Sequence, residues 1–191
     1  MVNIVIFASG SGSNAENIVH HFAKHPRARV KAIFCNNPNA GVIARAQKLN
    51  IPLQLFNKTD WQNETIMLAK LQTYEPTLIV LAGFLWLVPN YLINTHKHII
   101  NIHPALLPKF GGKGMYGKHV HKAVIGAGEK IHGITVHYVN EKYDDGEQIL
   151  QASFEISETD TLETITSKIS ALELHYFPLA IEKVILQIEN I

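Results

Sequence analysis

Residues 2–14 read VNIVIFASGSGSN, and this stretch decides the fold class. β-Branched and apolar residues crowd Val2–Ala8, as in a strand covered on both faces, and Ser9–Asn14 turns directly into a helix over Ala15–Ala23. The unit then repeats. Val30–Cys35 reads as a strand, Gly41–Leu49 as a helix, Ile51–Phe56 as a short strand, Trp61–Thr73 as a helix capped by Asp60, and Thr77–Ala82 as a strand. Strands apolar on both faces, alternating with helices of this length, predict a largely parallel sheet covered on both sides.

Downstream the rhythm changes. A short helix after Pro89 precedes a strand at Ile99–Ile102, and Pro104 and Pro108 keep the segment between them out of any long helix. Gly111, Gly112, Gly114 and Gly117 punctuate a loop before a helix over Lys118–Ile125. Alternating Ile134, Val136 and Tyr138 mark one further strand and Gln148–Phe154 another, and Thr161 to about Ile188 is helical by period, with a break or kink expected at Pro178. No repeat or linker divides the chain, so residues 1–191 are expected to form one domain, with a nucleotide-binding portion over 1–100 and a catalytic portion over 101–191.

Composition narrows the function classes. A chain of 191 residues, 47% apolar and 17% charged, can bury one substantial core. It has no run of about 20 apolar residues, and its apolar start gives way at once to glycine and serine, so an untargeted cytoplasmic protein without a membrane role is expected. Cys35 is the only cysteine, which excludes an internal disulfide or a thiolate cluster and suits packing at a strand end. A net charge of +1 with scattered lysines lacks the concentrated footprint of nucleic-acid binding and fits a small phosphorylated ligand better.

A candidate anion site lies in the opening stretch. Gly10 and Gly12 permit tight backbone geometry, and a helix starting near Asn14 would aim free N–H groups and a positive dipole end at a phosphate. Ser11 and Ser13 add hydroxyls, while Asn14 can either cap the helix or reach the ligand. On the motif alone, a plain glycine-serine turn and a ligand loop are both open. The stretch is not a full dinucleotide fingerprint, because Ala15 stands at the third glycine position and Asn36-Asn37 supplies no acidic ribose partner after the second strand.

A second candidate follows the Ile99–Ile102 strand, where the carboxyl ends of parallel strands present ligand-binding groups. Asn101 and His103 face one side of that strand. The first offers an amide donor for a developing oxyanion, and the second a donor or proton carrier near neutral pH. The acidic turn Tyr143-Asp144-Asp145-Gly146 could supply a carboxylate that supports the histidine. Taken singly, Asn101 could tie down a loop, His103 could satisfy a carbonyl, and Asp144 could cap a turn. His119, His121, His132 and His137 invite a metal reading, but no HExxH helix or compact histidine–carboxylate pattern fixes a metal geometry, and none is required.

These pieces occur in a known order. SGSGSN at 9–14, VLAGF at 80–84, NIHPALLPKF at 101–110, HGITVH at 132–137 and YDDG at 143–146 closely resemble the phosphoribosylglycinamide formyltransferase family over almost the whole chain. The resemblance implies a Rossmann-like, mostly parallel sheet flanked by helices with a mixed-strand C-terminal portion. It implies formyl transfer from 10-formyltetrahydrofolate to the amine of glycinamide ribonucleotide in purine biosynthesis. By the same resemblance Asn101, His103 and Asp144 are catalytic, with His137 a buried second histidine beside the carboxylate. Gly12, Ser13 and Asn14 would hold the substrate phosphate and Glu173 its ribose hydroxyls. Lys109 and His119, with the 109–117 loop, would hold or cover that substrate. Leu85, Trp86, Leu87, Tyr143 and the Asp144 turn would form the folate pocket.

The chain departs from many relatives at Trp86, where arginine is common, in the glycine-rich 110–117 segment, and at Asp145, where glycine is common. Rival uses of the same core are formyl transfer to methionyl-tRNA or a nucleotide sugar, and hydrolysis of formyl-folate. The tRNA and hydrolytic enzymes typically carry an added domain, which this short chain is not expected to have. A silent nucleotide-binding module is a rival of a different class, and monomer and homodimer are equally open.

Overall fold

The computed structural model describes residues 1–189. In chain order the elements are β1 (Val2–Ala8), α1 (Ser13–Phe22), β2 (Ala28–Cys35), α2 (Val42–Lys48), β3 (Leu53–Leu55), α3 (Lys58–Gln62), α4 (Glu64–Gln72) and β4 (Leu78–Leu81), followed by α5 (Asn90–Thr95), β5 (Ile99–His103), α6 (Lys118–Gly126), β6 (Ile131–Tyr138), β7 (Gln148–Glu155) and α7 (Leu162–Glu189). The strands form one seven-stranded sheet in the order β3-β2-β1-β4-β5-β6-β7. β1 to β5 pair in parallel, whereas β6 and β7 join antiparallel, giving the expected mixed C-terminal portion.

Both faces of the sheet are covered, which is why its central strands lack a polar side. Ile4, Ile6, Ile33, Val80 and Ile100 pack on one face with α1 and α7, through Ile18, Phe177, Ile181 and Val184. Val5, Phe7, Phe34, Ile79 and Leu81 pack on the other with Trp61, Met67, Leu71 and Leu92. Cys35 is fully buried at the end of β2, and burial pushes its thiol up from the ordinary value.

Two expectations are corrected. The helix expected over Trp61–Thr73 is two helices, because asparagine occurs twice as a cap. Asn57 accepts from the Asp60 backbone at 2.9 Å to start α3, with Asp60 answering in a capping box, and Asn63 accepts from Ile66 at 3.1 Å to start α4. Asp60 is therefore inside a helix, not before it. Pro178 does not break α7, although it cannot donate to the carbonyl one turn back. That carbonyl, on Leu174, instead accepts from the Asn17 side chain at 2.6 Å. A long-range partner replaces the missing local one.

Candidate active site

The strand order reverses between β1 and β4, and at such a switch point the loops leaving neighbouring strands separate and open a crevice at their carboxyl ends. Here the crevice is a cavity of about 810 Å³. Its walls come from the loop after β1 (Ser9–Ser11, Asn14), the loop after β4 (Gly83–Val88), the end of β5, the 112–117 loop, the 140–144 turn and α7.

At its centre four polar side chains converge. Asn101 and His103 project from β5, and their register partners on β6 are His137 and Thr135. Asp144 comes from the turn after β6, held at φ 54, a left-handed conformation that aspartate tolerates better than most residues. Its Oδ2 accepts from the Gly112 backbone at 2.9 Å and lies 3.4 Å from His103 Nδ1. Its Oδ1 lies 3.5 Å from Asn101 Nδ2 and 3.6 Å from His137 Nε2. Gly146 closes the turn by close approach, since any Cβ there would overlap the Tyr138 carbonyl. Asp145 is exposed and outside the left-handed region, so the glycine common at that position is not needed here.

The hydrogen bonds set the orientation of each group. His137 Nδ1 donates to the Tyr138 carbonyl at 2.8 Å, which aims its Nε2 at Asn101 Nδ2, 3.1 Å away, and at Asp144 Oδ1, 3.6 Å away. The Asn101 amide is thereby set between His137, Asp144 and the cavity. His103 Nε2 donates to the Phe110 carbonyl at 2.8 Å, so its Nδ1 faces the carboxylate. Burial pushes the His103 imidazolium below its ordinary value, and the nearby His137 adds to this, while Asp144 and the Phe110 carbonyl pull the other way. Burial raises the Asp144 carboxyl, but the His137 bond, the charge of His103 and the Gly112 N–H together hold it below the usual carboxylate range. The outcome is an ionised carboxylate beside a histidine whose charged form it supports.

The segment between the two prolines is fixed by one buried hydroxyl. Thr135 Oγ1 donates to the Ala105 carbonyl at 2.7 Å and accepts from the Leu107 N–H at 3.0 Å and Gln151 Nε2 at 2.9 Å. The loop carrying Phe110 is thereby tied to β6.

One end of the cavity is polar and reaches α1. Asn14 is buried there, donating to Glu173 at 2.9 Å, while its Oδ1 is sealed from solvent without a partner. Burial pushes the Glu173 carboxyl up, with the Asn14 bond opposing it. Thr166, Ile169, Ser170 and Glu173 share one face of α7 toward this end. The other end is apolar, formed by Phe84, Leu85, Trp86, Leu87 and Val88, with Trp86 packed edge-on against Phe56 at 6.0 Å.

Residues 2–181 match the formyl transferase family. The chain is 39% identical over 191 residues to the phosphoribosylglycinamide formyltransferase of Bacillus subtilis (strain 168), covering 97% of this chain and 95% of that protein. The chain belongs to the phosphoribosylglycinamide formyltransferase family. It is 30% identical over 186 residues to the Escherichia coli (strain K12) protein of that name, covering 94% and 85% of the two chains. The crystal structure of the Brucella melitensis phosphoribosylglycinamide formyltransferase superposes with a TM-score of 0.85 at 34% identity, covering 96% of this chain and 95% of that one. Glycinamide ribonucleotide transformylase 1 from Geobacillus kaustophilus does so at 0.87 and 32%, covering 97% and 99%.

Within this formyltransferase fold, Asn101, His103, His137, Asp144, Asn14, Glu173, Leu85, Trp86, Leu87 and Tyr143 all line the one cavity. Gly12 and Ser13 do not. Gly12 caps α1 at φ 80, and a Cβ there would come within 2.6 Å of Val42 Cβ, so packing against α2 demands glycine at this position. Lys109 points away to an ion pair with Glu129 at 2.8 Å, and His119 is exposed beside Tyr116. His121, considered from sequence only as a metal ligand, is buried and lines the cavity. Among the described residues no three His, Cys, Asp or Glu are grouped to hold a metal ion. The i, i+3, i+4, i+7 spacing of Thr166, Ile169, Ser170 and Glu173 was the signal that could have revealed α7's contribution.

Proposed function

We propose that this chain transfers the formyl group of 10-formyltetrahydrofolate to the amine of glycinamide ribonucleotide. One observation carries the reading: Asn101, His103 and Asp144 meet at the switch point between a polar end fit for a phosphoribosyl group and an apolar end fit for a flat heterocycle. Its relatives' names support the same assignment.

The phosphate would lie against the Ser9–Ser11 loop and the start of α1, where the positive helix end and the unsatisfied environment of Asn14 favour an anion. Glu173 would accept from the ribose hydroxyls. Leu85, Trp86 and Leu87 would wall the pterin, with Tyr143 and the Asp144 turn at its polar edge. The neutral amine attacks the formyl carbon directly, forming the C–N bond as the carbonyl π electrons move to oxygen. Asn101 Nδ2 donates to that oxygen, and the 3.5 Å separation from Asp144 leaves this hydrogen free to turn. Asp144 supports the charge that His103 takes up during attack and drains the proton lost by nitrogen through water. Collapse of the intermediate expels the folate nitrogen, which takes a proton. No formyl-enzyme is needed, because Ala105 follows Pro104 where a nucleophile would stand.

The reading includes a single functional unit over 1–191, with phosphate binding in 1–100 and catalysis and folate binding in 101–191, acting in the cytoplasm without a nucleic-acid or membrane partner. Mixing the protein with glycinamide ribonucleotide and 10-formyltetrahydrofolate tests it. Formylated ribonucleotide in amounts matching the folate consumed is expected. Formate release without that product would favour hydrolysis, and binding without turnover would favour a silent module.

A further inference from the structure

Beside the four central groups lies a second buried polar pair. His121, in the first turns of α6, and His132, near the start of β6, are 3% and 1% exposed. Their rings meet edge to face at 5.2 Å, with His121 Nδ1 3.0 Å from His132 Nε2. Phe154 of β7 packs against His132, ring centroids 5.9 Å apart. His132 does not reach the cavity, but His121 does. Its remaining nitrogen, Nε2, has no hydrogen-bond partner among the described residues and is not one of the sealed-off polar atoms. An imidazole anchored at one nitrogen therefore presents the other to the reaction space.

The pair holds one hydrogen between its facing nitrogens. Burial pushes both rings toward the neutral form: His121 is lowered by burial and then by the neighbouring His103, and His132 falls to about 4 through burial, His121 and His103. Two neutral arrangements exist. Either His121 donates from Nδ1 and shows the cavity a bare acceptor, or it receives from His132 and shows the cavity an N–H. Charge in the site selects between them. Asp144 draws His103 toward its charged form, and the attacking amine gains positive charge as its C–N bond forms, so a lone pair facing them is favoured over a further N–H.

Position assigns the substrate atom. α6 packs against α7, whose polar face binds the phosphoribosyl end, and His121 is close enough to His103 for their charges to interact. The part of the acceptor that spans this gap is its glycyl arm, ending in the amine. We infer that His121 turns a bare Nε2 toward the attacking amine, accepting one N–H and aiming the nitrogen lone pair at the formyl carbon, and that His132 is the positioning residue that anchors the ring through Nδ1. The inference rests on the acceptor proposed above. No proton leaves through the pair. The hydrogen bond strengthens as the nitrogen becomes cationic, so it acts on the rate more than on ground-state binding.

Long-range proton–nitrogen NMR of the unliganded full chain, with isotope-labelled histidine rings, reads the tautomers directly. A neutral His121 protonated at Nδ1 is expected; protonation at Nε2 overturns the inference whatever the enzyme turns over. In single-turnover transfer by folded variants, His121→Phe is expected to lower kcat roughly tenfold or more, as for one lost hydrogen bond, with KM for the folate unchanged. His121→Gln, whose carbonyl can accept, is expected to recover part of that loss. Equal activity of wild type, His121→Phe and His121→Gln would refute the role of His121 alone. Absence of formylated ribonucleotide with the wild-type chain would instead remove the acceptor on which it rests.

Discussion

Replacing Asp144 by asparagine keeps the shape of the central group and removes its charge. The Gly112 N–H at 2.9 Å can still be met by the amide oxygen, so the turn should survive. The opposite edge of the side chain, now an NH₂, would meet the Asn101 amine, at present 3.5 Å from the carboxylate, and set two donors against each other. The greater loss is electrostatic. His103 Nδ1 lies 3.4 Å from the carboxylate, and unit charges at that distance interact by roughly 5 kcal/mol at an effective dielectric of about 20. Relaxation around the amide would recover part of this, leaving a loss of about 3 kcal/mol, or on the order of 100-fold in kcat. Because Asp144 is the foremost group raising the His103 pKa against burial, its neutralisation should move the His103 inflection of the rate profile to lower pH. Single-turnover formyl transfer across pH, with the affinity of each substrate measured separately, tests both effects. A rate within about threefold of wild type, with an unmoved inflection, would refute the proposed coupling of Asp144 to His103.

Glu173→Ala should raise KM for the ribonucleotide roughly 30-fold, from about 2 kcal/mol of lost charge-assisted hydrogen bonding, and leave KM for the folate alone; equal weakening of both would remove Glu173 from the ribose end. Thr135→Val keeps volume but leaves the buried Leu107 N–H without its 3.0 Å acceptor, so urea unfolding should show a loss of about 2 kcal/mol, and an unchanged midpoint would mean the inter-proline segment is held otherwise. Acid should destabilise the protein well before its carboxylates protonate. His132 falls from 6.5 unfolded to about 4 folded, so the unfolded chain binds the extra proton in that window, stability is complete above 6.5, and roughly 3 kcal/mol is lost on descending to about 4. Equilibrium unfolding flat across that interval would show that His132 carries its charge in the folded protein.

The parallel core was legible because each central strand is apolar on both faces, a one-dimensional pattern that needs no partner to be read. Ser9–Asn14 after β1 and Asn101–His103 on β5 were legible for a related reason: in a parallel sheet the end of a strand is known once the strand is, and ligands gather at those ends. What local pattern did not show was decided by partners far away in the chain. Pro178 sits inside an unbroken helix because Asn17 meets the carbonyl it orphans. Gly12 packs against Val42, and Lys109 pairs with Glu129. The approach of Asn101 to His137 depends on antiparallel register, and the pairing of His121 with His132 on α6 bringing its fourth residue to β6. Sequence alone therefore determined which segments become strands and which residue types could carry formyl transfer, since local pattern and side-chain chemistry suffice for both. Only the tertiary structure decided which nitrogen of each histidine faces which partner, because a hydrogen bond is directional and the partner is distant in the chain, as Asn101 is from His137, 36 residues away.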